Sequence, residues 1–322
     1  MKLLSAVFLA GGVALFAWLI ARQGIGGVLE ALEIAGWGVA VVALWHFVPL
    51  ALDAAAWRRL IAREHRPPLA AAVRMRWIGE SVNGLLPAAQ VVGELVRVRL
   101  SMLYGIPGAV AGATMTVDMT IGVFSQVIFT LLGLMVLYAL GVGGVAALAV
   151  GPLVLAAFLI VFLALQNAGM FGRAAKLISR SAFGNGWIKI IAGADAVDAE
   201  LKGIYGRRRA LVESLGWRIL SWFTGTGEIW LGLHFLGHPV SIMEALMMES
   251  LTQAVRSAAF IVPGGLGIQE GGFILIGNAL GISPELSLAL SLIKRVRELA
   301  VGLPALVLWK VIEGRRLLRT ST

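Results

Sequence analysis

Asn83-Gly84-Leu85-Leu86-Pro87-Ala88-Ala89 runs on through Gln90-Val91-Val92 to Gly93-Glu94, and Pro263-Gly264-Gly265-Leu266-Gly267-Ile268-Gln269-Glu270 repeats the design much later in the chain. In both stretches a helix breaker precedes a glutamate by seven positions, and both lie in sequence apolar enough to sit inside a bilayer. Aligning the two places Ser81 on Ser257, Gly105-Ile106 on Gly281-Ile282, and Asp118 on Lys294. Identity elsewhere is sparse, so the weight rests on which residues match: the breakers and the acid. A duplicated breaker followed by a carboxylate at membrane depth points to a transporter-like architecture of two related halves.

The composition agrees with a membrane setting. The chain has 322 residues, 59% hydrophobic and only 14% charged, with a mean hydropathy of +0.88. No soluble domain of this length needs so much apolar surface. There is no cysteine, which excludes disulfides, thiol catalysis and thiolate metal sites. The formal charge of +9 is explained by basic loops between apolar spans rather than by nucleic acid. The stretch from Leu3 to Ala21 is longer than a signal-peptide core and lacks a small-x-small cleavage site, so it reads as a first span.

A transmembrane helix takes about 20 mostly apolar residues. Candidate spans are 3–21, 37–56, 107–138, 143–165, 213–236 and 286–309. Two further apolar stretches, 68–103 and 241–280, are interrupted by the breakers and read as re-entrant helical hairpins. The expected fold is an all-α polytopic membrane protein, with six full spans plus two re-entrant helical hairpins arranged as an inverted repeat. It forms a single integral membrane domain over 1–322. Two N-terminal spans occupy 1–56, the first repeat half 57–165, a cytoplasmic amphipathic loop 166–212, the second half 213–310, and a basic tail 311–322.

Loop charges set the orientation. Arg58, Arg59, Arg63 and Arg66 follow the second span, Arg207 to Arg209 precede the fifth, and Arg315, Arg316 and Arg319 close the chain. The opposite loops carry one arginine between them. Both termini are therefore expected in the cytoplasm, in a bacterial-type inner membrane. With that orientation the two hairpins enter from opposite sides. The segment 166–212 alternates apolar residues such as Trp187, Val197, Leu201 and Ile204 with Asp195, Asp198 and Glu200. It fits a helix lying on the membrane surface, or a solvated connector.

Charge inside a bilayer is costly, so ionisable residues there are functional candidates. The first hairpin supplies Glu80, Glu94, Arg97 and Arg99, and the third span Asp118. Glu228 comes from the fifth span, and Glu249, Arg256 and Glu270 from the second hairpin. The last span carries Lys294-Arg295-x-Arg297-Glu298, flanked on both sides by apolar sequence. Three cations at that depth need carboxylate partners, a water-filled cavity or an anionic ligand. Glu298 pairs within the helix with Lys294 or Arg295, and Glu94 and Glu270 are natural partners for the others. The sequence suits both an internal ion-pair cluster and a charged cavity for a head group. The expected binding residues are Glu94, Arg97, Asp118, Arg256, Gly264, Gly265, Glu270, Lys294, Arg295 and Arg297, with Glu94 and Glu270 on opposite sides of one polar cavity. The glycines after Pro263 suit a turn whose N–H groups cradle an anion, or a simple turn between helices.

Other candidates point elsewhere. His234 and His238 lack a third nearby ligand and read as interfacial, so no metal site is expected. His46 reads as a core histidine. The tryptophans, including Trp37, Trp57, Trp77 and Trp309, fall mostly near span ends and read as interface anchors. Ser81 and Ser257 have no histidine near them in sequence, and no catalytic role is expected.

The strings Asn83-Gly84-Leu85-Leu86-Pro87, Gly93-Glu94-x-x-Arg97 and Pro263 to Glu270 resemble the lysylphosphatidylglycerol synthase transmembrane (flippase-like) family over nearly the whole chain. Thr116-Val117-Asp118-Met119-Thr120, with Ser125-Gln126 and Phe129, more narrowly resembles its hopanoid-biosynthesis-associated branch. The resemblance implies an inner-membrane protein handling amphiphilic lipids, which founding members move between leaflets. Those members also carry a soluble aminoacyl-transferase domain. No such domain precedes Thr322, so synthesis of a lysyl-lipid is not expected. The expectation is a lipid transporter or flippase for a hopanoid or anionic lipid, without cofactor. The alternative is a non-catalytic accessory subunit partnered with lipid-biosynthesis enzymes.

Overall fold

The computed structural model describes residues 33–86, 92–141, 194–258 and 265–320. The expected spans 3–21 and 143–165, most of the 166–212 loop, and the breakers Pro87 to Ala89 and Pro263-Gly264 lie outside them. Among the described residues the secondary structure is helical: α1 (Gly38–Trp45), α2 (Phe47–Leu60), α3 (Leu69–Leu85), α4 (Val92–Leu103), α5 (Gly108–Ala139), α6 (Ala194–Gly206), α7 (Arg208–Phe235), α8 (Ile242–Ala258), α9 (Ile268–Ala279) and α10 (Pro284–Thr320). A single 3₁₀ turn, Arg63–His65, follows α2.

Gly38–Leu60 and Gly108–Ala139 combine the length and hydropathy needed to cross a bilayer, with mean hydropathies of 1.8 and 2.1. The expected segments 37–56 and 107–138 fall on them. The segment 213–236 falls on α7 up to its last helical residue, Phe235, and 286–309 falls within α10; charged residues interrupt the apolar runs of both helices. Large apolar side chains on these helices point outward: Phe124 and Met135 on α5, Leu303 and Val307 on α10. Such a surface suits hydrocarbon rather than water.

The first of these segments is interrupted at His46, between α1 and α2. The cause is local. Pro49 has no N–H to give to the Trp45 carbonyl, one turn earlier. The helix resumes with Leu50 donating to the His46 carbonyl at 3.2 Å. The helix that follows this break, α2, makes the most extensive packing among the described helices, on α7.

The two regions around the breakers are built alike. The second arms α4 and α9 are each 12 residues long, about 18 Å of helix against a hydrocarbon core of roughly 30 Å. Both carry their glutamate in the first turn, Glu94 and Glu270. Both end on a left-handed glycine, Gly105 at φ 97° and Gly281 at φ 74°. The next residue, Ile106 or Ile282, is buried and donates back to the Ser101 or Gly277 carbonyl at 3.0 or 2.9 Å. This is a Schellman closure, which needs a residue free to adopt positive φ and an apolar residue after it. It gives the sequence match Gly105-Ile106/Gly281-Ile282 a physical cause. In both cases the following long helix starts five residues after the arm ends, at Gly108 and Pro284.

Packing follows the same exchange. α3 pairs with α4 and crosses to α10, while α8 pairs with α9 and crosses to α5. The α3–α4 contact is close because Gly79 and Gly93 face each other. A Cβ on Gly93 would overlap the Gly79 carbonyl, and one on Gly79 would strike the Arg97 stem. Small residues permit such backbone approach between membrane helices. Asn83 Oδ1 accepts the Gly93 N–H at 2.6 Å and so caps the start of α4.

Two large apolar cores result. One joins α1 and α7 to α10 through Val42, Ile229, Met247, Phe273 and Leu290. The other joins α2 to α5 and the end of α10 through Trp57, Ile78, Val96, Met115 and Ala305. A smaller cluster seats Ile204, Val197 and Leu201 of α6 against Ala113 and Val117 of α5. The described end of the 166–212 loop therefore packs its apolar stripe on protein. Trp57 is fully buried, with the Arg97 guanidinium 5.2 Å from its ring centre. That corrects the reading of Trp57 as an interface anchor, whereas Trp37 is 74% exposed.

Candidate functional site

Charged side chains from α2 to α5 and from α7 to α10 gather in two clusters. Asp118, from the middle of α5, is buried and accepts three guanidinium groups: Arg76 of α3 at 3.2 Å, Arg97 of α4 at 3.1 Å and Arg218 of α7 at 2.5 Å. Asp53 of α2 bridges two of the same arginines, Arg76 at 2.8 Å and Arg218 at 2.9 Å. Arg97 also pairs with Glu94 one turn earlier in α4. Three carboxylates and three guanidinium groups thus share one buried lattice, where each anion offsets the desolvation of the others' partners.

The second cluster is centred on α10. Lys294 Nζ lies 2.7 Å from Glu249 of α8 and 3.8 Å from Glu228 of α7. Arg297 reaches Glu228 at 3.0 Å. Arg295 joins Glu270 of α9 at 3.0 Å and Glu298 at 2.9 Å, and Glu298 also meets Arg256 of α8 at 3.2 Å. At the helix break, His46 closes the cluster. Its Nδ1 is 2.7 Å from Glu228 Oε1 and its Nε2 is 3.0 Å from Glu80 Oε1. Across both clusters eight carboxylates face seven permanent cations. His46 supplies the eighth positive charge when both ring nitrogens carry protons.

Between the clusters lies a cavity of about 310 Å³. Asp53 of α2, Arg76 and Glu80 of α3 and Glu94 of α4 line it on one side, and Glu228, Glu249, Gln253, Arg256, Lys294, Arg297 and Glu298 of α7, α8 and α10 complete it. Pro49, Leu50, Leu85 and Val301 give it apolar stretches beside the charges. Glu80 is the most open of the paired acids, its side chain 40% exposed.

The family comparison decides the affiliation, because the model for the lysylphosphatidylglycerol synthase TM region matches residues 3–305. The chain belongs to that family. Neither a curated protein nor a solved structure matches it. The lysylphosphatidylglycerol synthase TM family relates to membrane lipid modification or transport, and this member is a helical membrane protein.

Of the residues expected to bind substrate in this family member, Glu94, Arg256, Lys294 and Arg297 line the cavity. Arg97, Asp118, Gly265, Glu270 and Arg295 do not, and Gly264 lies outside the described residues. Arg97 and Asp118 stand behind the wall, in the lattice that fixes it. The expectation that Glu94 and Glu270 face each other across one cavity is corrected. Glu270 is fully buried, held by Arg295 and by the Ser291 hydroxyl, which donates at 3.2 Å. The partners of Lys294 and Arg297 are Glu249 and Glu228 rather than Glu94 and Glu270.

Sequence reasoning passed over Asp53 and Arg218, each an isolated charge in an apolar run, and Arg76, which stands two residues after Arg74 near the mouth of the first hairpin. It read His46 as core. The histidine is buried, but it sits between two carboxylates. The signal available in the sequence was Pro49, which opens the helix at the turn carrying His46.

Proposed function

We propose that this protein binds the head group of an amphiphilic lipid in the central cavity and moves that lipid between leaflets, without catalysis. A cavity with charged walls from both halves and apolar patches at Pro49, Leu50 and Val301 supports this reading most directly. About 310 Å³ is at the small end of ligand sites and suits a head group, with the tails left to the outer apolar surface. His46 contacts carboxylates rather than a serine, and Ser81 donates to the Trp77 carbonyl, so no nucleophile–base pair forms on either.

The architecture in this proposal is an inverted repeat of six spans and two re-entrant hairpins, in an inner membrane with both termini cytoplasmic. The matched 12-residue arms, their Schellman closures and the exchanged packing of α3 on α10 and α8 on α5 support it. Mixed charge on the cavity wall favours a head group carrying its own charge, as in an anionic lipid or a hopanoid with a polar extension. Mass spectrometry of lipid retained by the purified protein tests the binding. One lipid class should be enriched over the bulk membrane, and a retained mixture matching the bulk would contradict it.

One observation favours the accessory-subunit reading. Each permanent cation lining the cavity already has a carboxylate partner, so the network satisfies itself without a ligand. Stoichiometric co-purification of a lipid-biosynthesis enzyme, with no lipid movement by the protein alone, would select that reading.

A further inference from the structure

A second cavity, of about 730 Å³, forms where the turn after α2 meets the α6–α7 junction. It shares no lining residue with the central one. Arg59, Arg63, Arg66, Arg207, Arg208 and Arg209 line it, with Glu64 and Glu213 as its acids. Six guanidinium groups against two carboxylates leave four positive charges unmatched within the lining. Glu213 is already engaged by Arg59 at 3.3 Å and Arg209 at 2.8 Å.

The arginines are held rather than free to disperse. Arg66 donates to the Ile61 carbonyl at 2.9 and 3.1 Å, and Arg207 donates to the Leu60 carbonyl at 2.6 Å. Both clamp the terminal carbonyls of α2, where cations are favoured. Burial, and then its neighbours Arg58, Arg59, Arg63 and Arg207, hold Arg66 below the ordinary guanidinium value. Arg63 and Arg208 are exposed, and no hydrogen bond or ion pair engages either side chain among the described residues. The 28-residue helix α7 starts here without a side-chain cap, so its first-turn N–H groups and positive dipole end add to the same field. A general bias of basic residues toward one membrane face accounts for their side of the bilayer. It does not account for their convergence on one concavity at an uncapped helix start.

We infer that this second cavity binds a phosphate-bearing anion, either the phosphodiester of an anionic phospholipid or a free phosphate compound. Guanidinium forks match phosphate oxygens in pairs, and a helix start supplies further donors. The site is separate from the central cavity and stands whether or not that cavity moves lipid.

The test uses the full chain in nanodiscs, with an Arg63→Gln/Arg208→Gln double variant, since neither side chain clamps the backbone. In discs of phosphatidylcholine mixed with phosphatidylglycerol, native mass spectrometry should find phosphatidylglycerol retained by the wild type. Retention by the double variant should be roughly tenfold weaker, the loss of one or two charge-assisted bonds. In pure phosphatidylcholine discs, pyrophosphate is the probe. Raised thermal stability of the wild type but not of the double variant would assign the site to a free phosphate compound. Retained phosphatidylglycerol with no pyrophosphate effect would assign it to lipid. The Arg63→Lys/Arg208→Lys form should recover part of the binding. Equal behaviour of wild type and double variant toward both anions would overturn the inference. A cavity-filling Gln253→Trp change should leave this binding intact, which separates the two sites.

Discussion

His46 Nδ1 lies 2.7 Å from Glu228 Oε1, joining the break between α1 and α2 to the middle of α7. The other ring nitrogen faces Glu80 of α3 at 3.0 Å. Both contacts are hydrogen bonds at once only when a proton lies on each line. Truncating the ring removes a group shared by three helices and leaves Glu228 to Arg297 and Lys294.

His46→Ala should therefore cost about 3–5 kcal/mol, as breaking a buried charge pair does. His46→Gln, which keeps one donor, should cost less. Thermal unfolding in detergent checks the order, and equal stability of all three proteins would contradict it.

Asp118→Asn tests the lattice behind the cavity wall. Arg76, Arg97 and Arg218 lose the carboxylate they share and are left with Asp53 and Glu94, two anions for three buried guanidinium groups. One uncompensated buried charge is strongly destabilising, by about 3–5 kcal/mol. Lys294→Gln acts on the cavity wall itself. It should lower lipid retention in the fraction that stays folded, measured on monodisperse protein by mass spectrometry of extracted lipid.

Gly93→Ala tests the α3–α4 crossing. Its Cβ would overlap the Gly79 carbonyl, and overpacking of this kind costs about 1–3 kcal/mol or more when backbone must move. Gly112→Ala, where a Cβ meets nothing within 4 Å, is the matched control and should be near neutral. Unfolding midpoints of the two variants should differ in that order.

These contrasts show which features were legible in the sequence. The repeated breaker-plus-glutamate and the Gly-Ile closure predicted paired elements, because turn chemistry and helix caps are local and leave local marks. Lys294, Arg295 and Arg297 announced themselves as buried cations. The two partners of Arg295, Glu298 and Glu270, were also named from the sequence. Those of Lys294 and Arg297 were not, because an ion pair between α10 and α7 or α8 is set by how helices cross, and sequence spacing carries no record of that. Glu270 illustrates the limit. Its match to Glu94 fixed the same place in the arm, yet Glu270 is sealed behind Arg295 while Glu94 reaches the cavity. Asp53 and Arg218 were unreadable alone and explain each other only at 2.9 Å.

The proposed topology predicts opposite exposure for the two ends of the described spans. The chain has no native cysteine, so single cysteines report cleanly. With a membrane-impermeant maleimide, His65→Cys should label only from the cytoplasmic side and Leu140→Cys only from the other. Labelling of both from one side would remove the inverted arrangement of the hairpins.

Lipid movement in proteoliposomes tests the central claim most directly. A head-group-labelled phospholipid is placed in both leaflets, and an impermeant quencher reports how fast the inner pool becomes accessible. Wild-type protein should accelerate that exchange over empty liposomes. Gln253→Trp, which fills the cavity between the two ionic clusters, should return it to the empty-liposome rate while remaining folded. Exchange by the folded Gln253→Trp protein at the wild-type rate, or no acceleration by the wild type with any lipid retained on purification, would contradict the account.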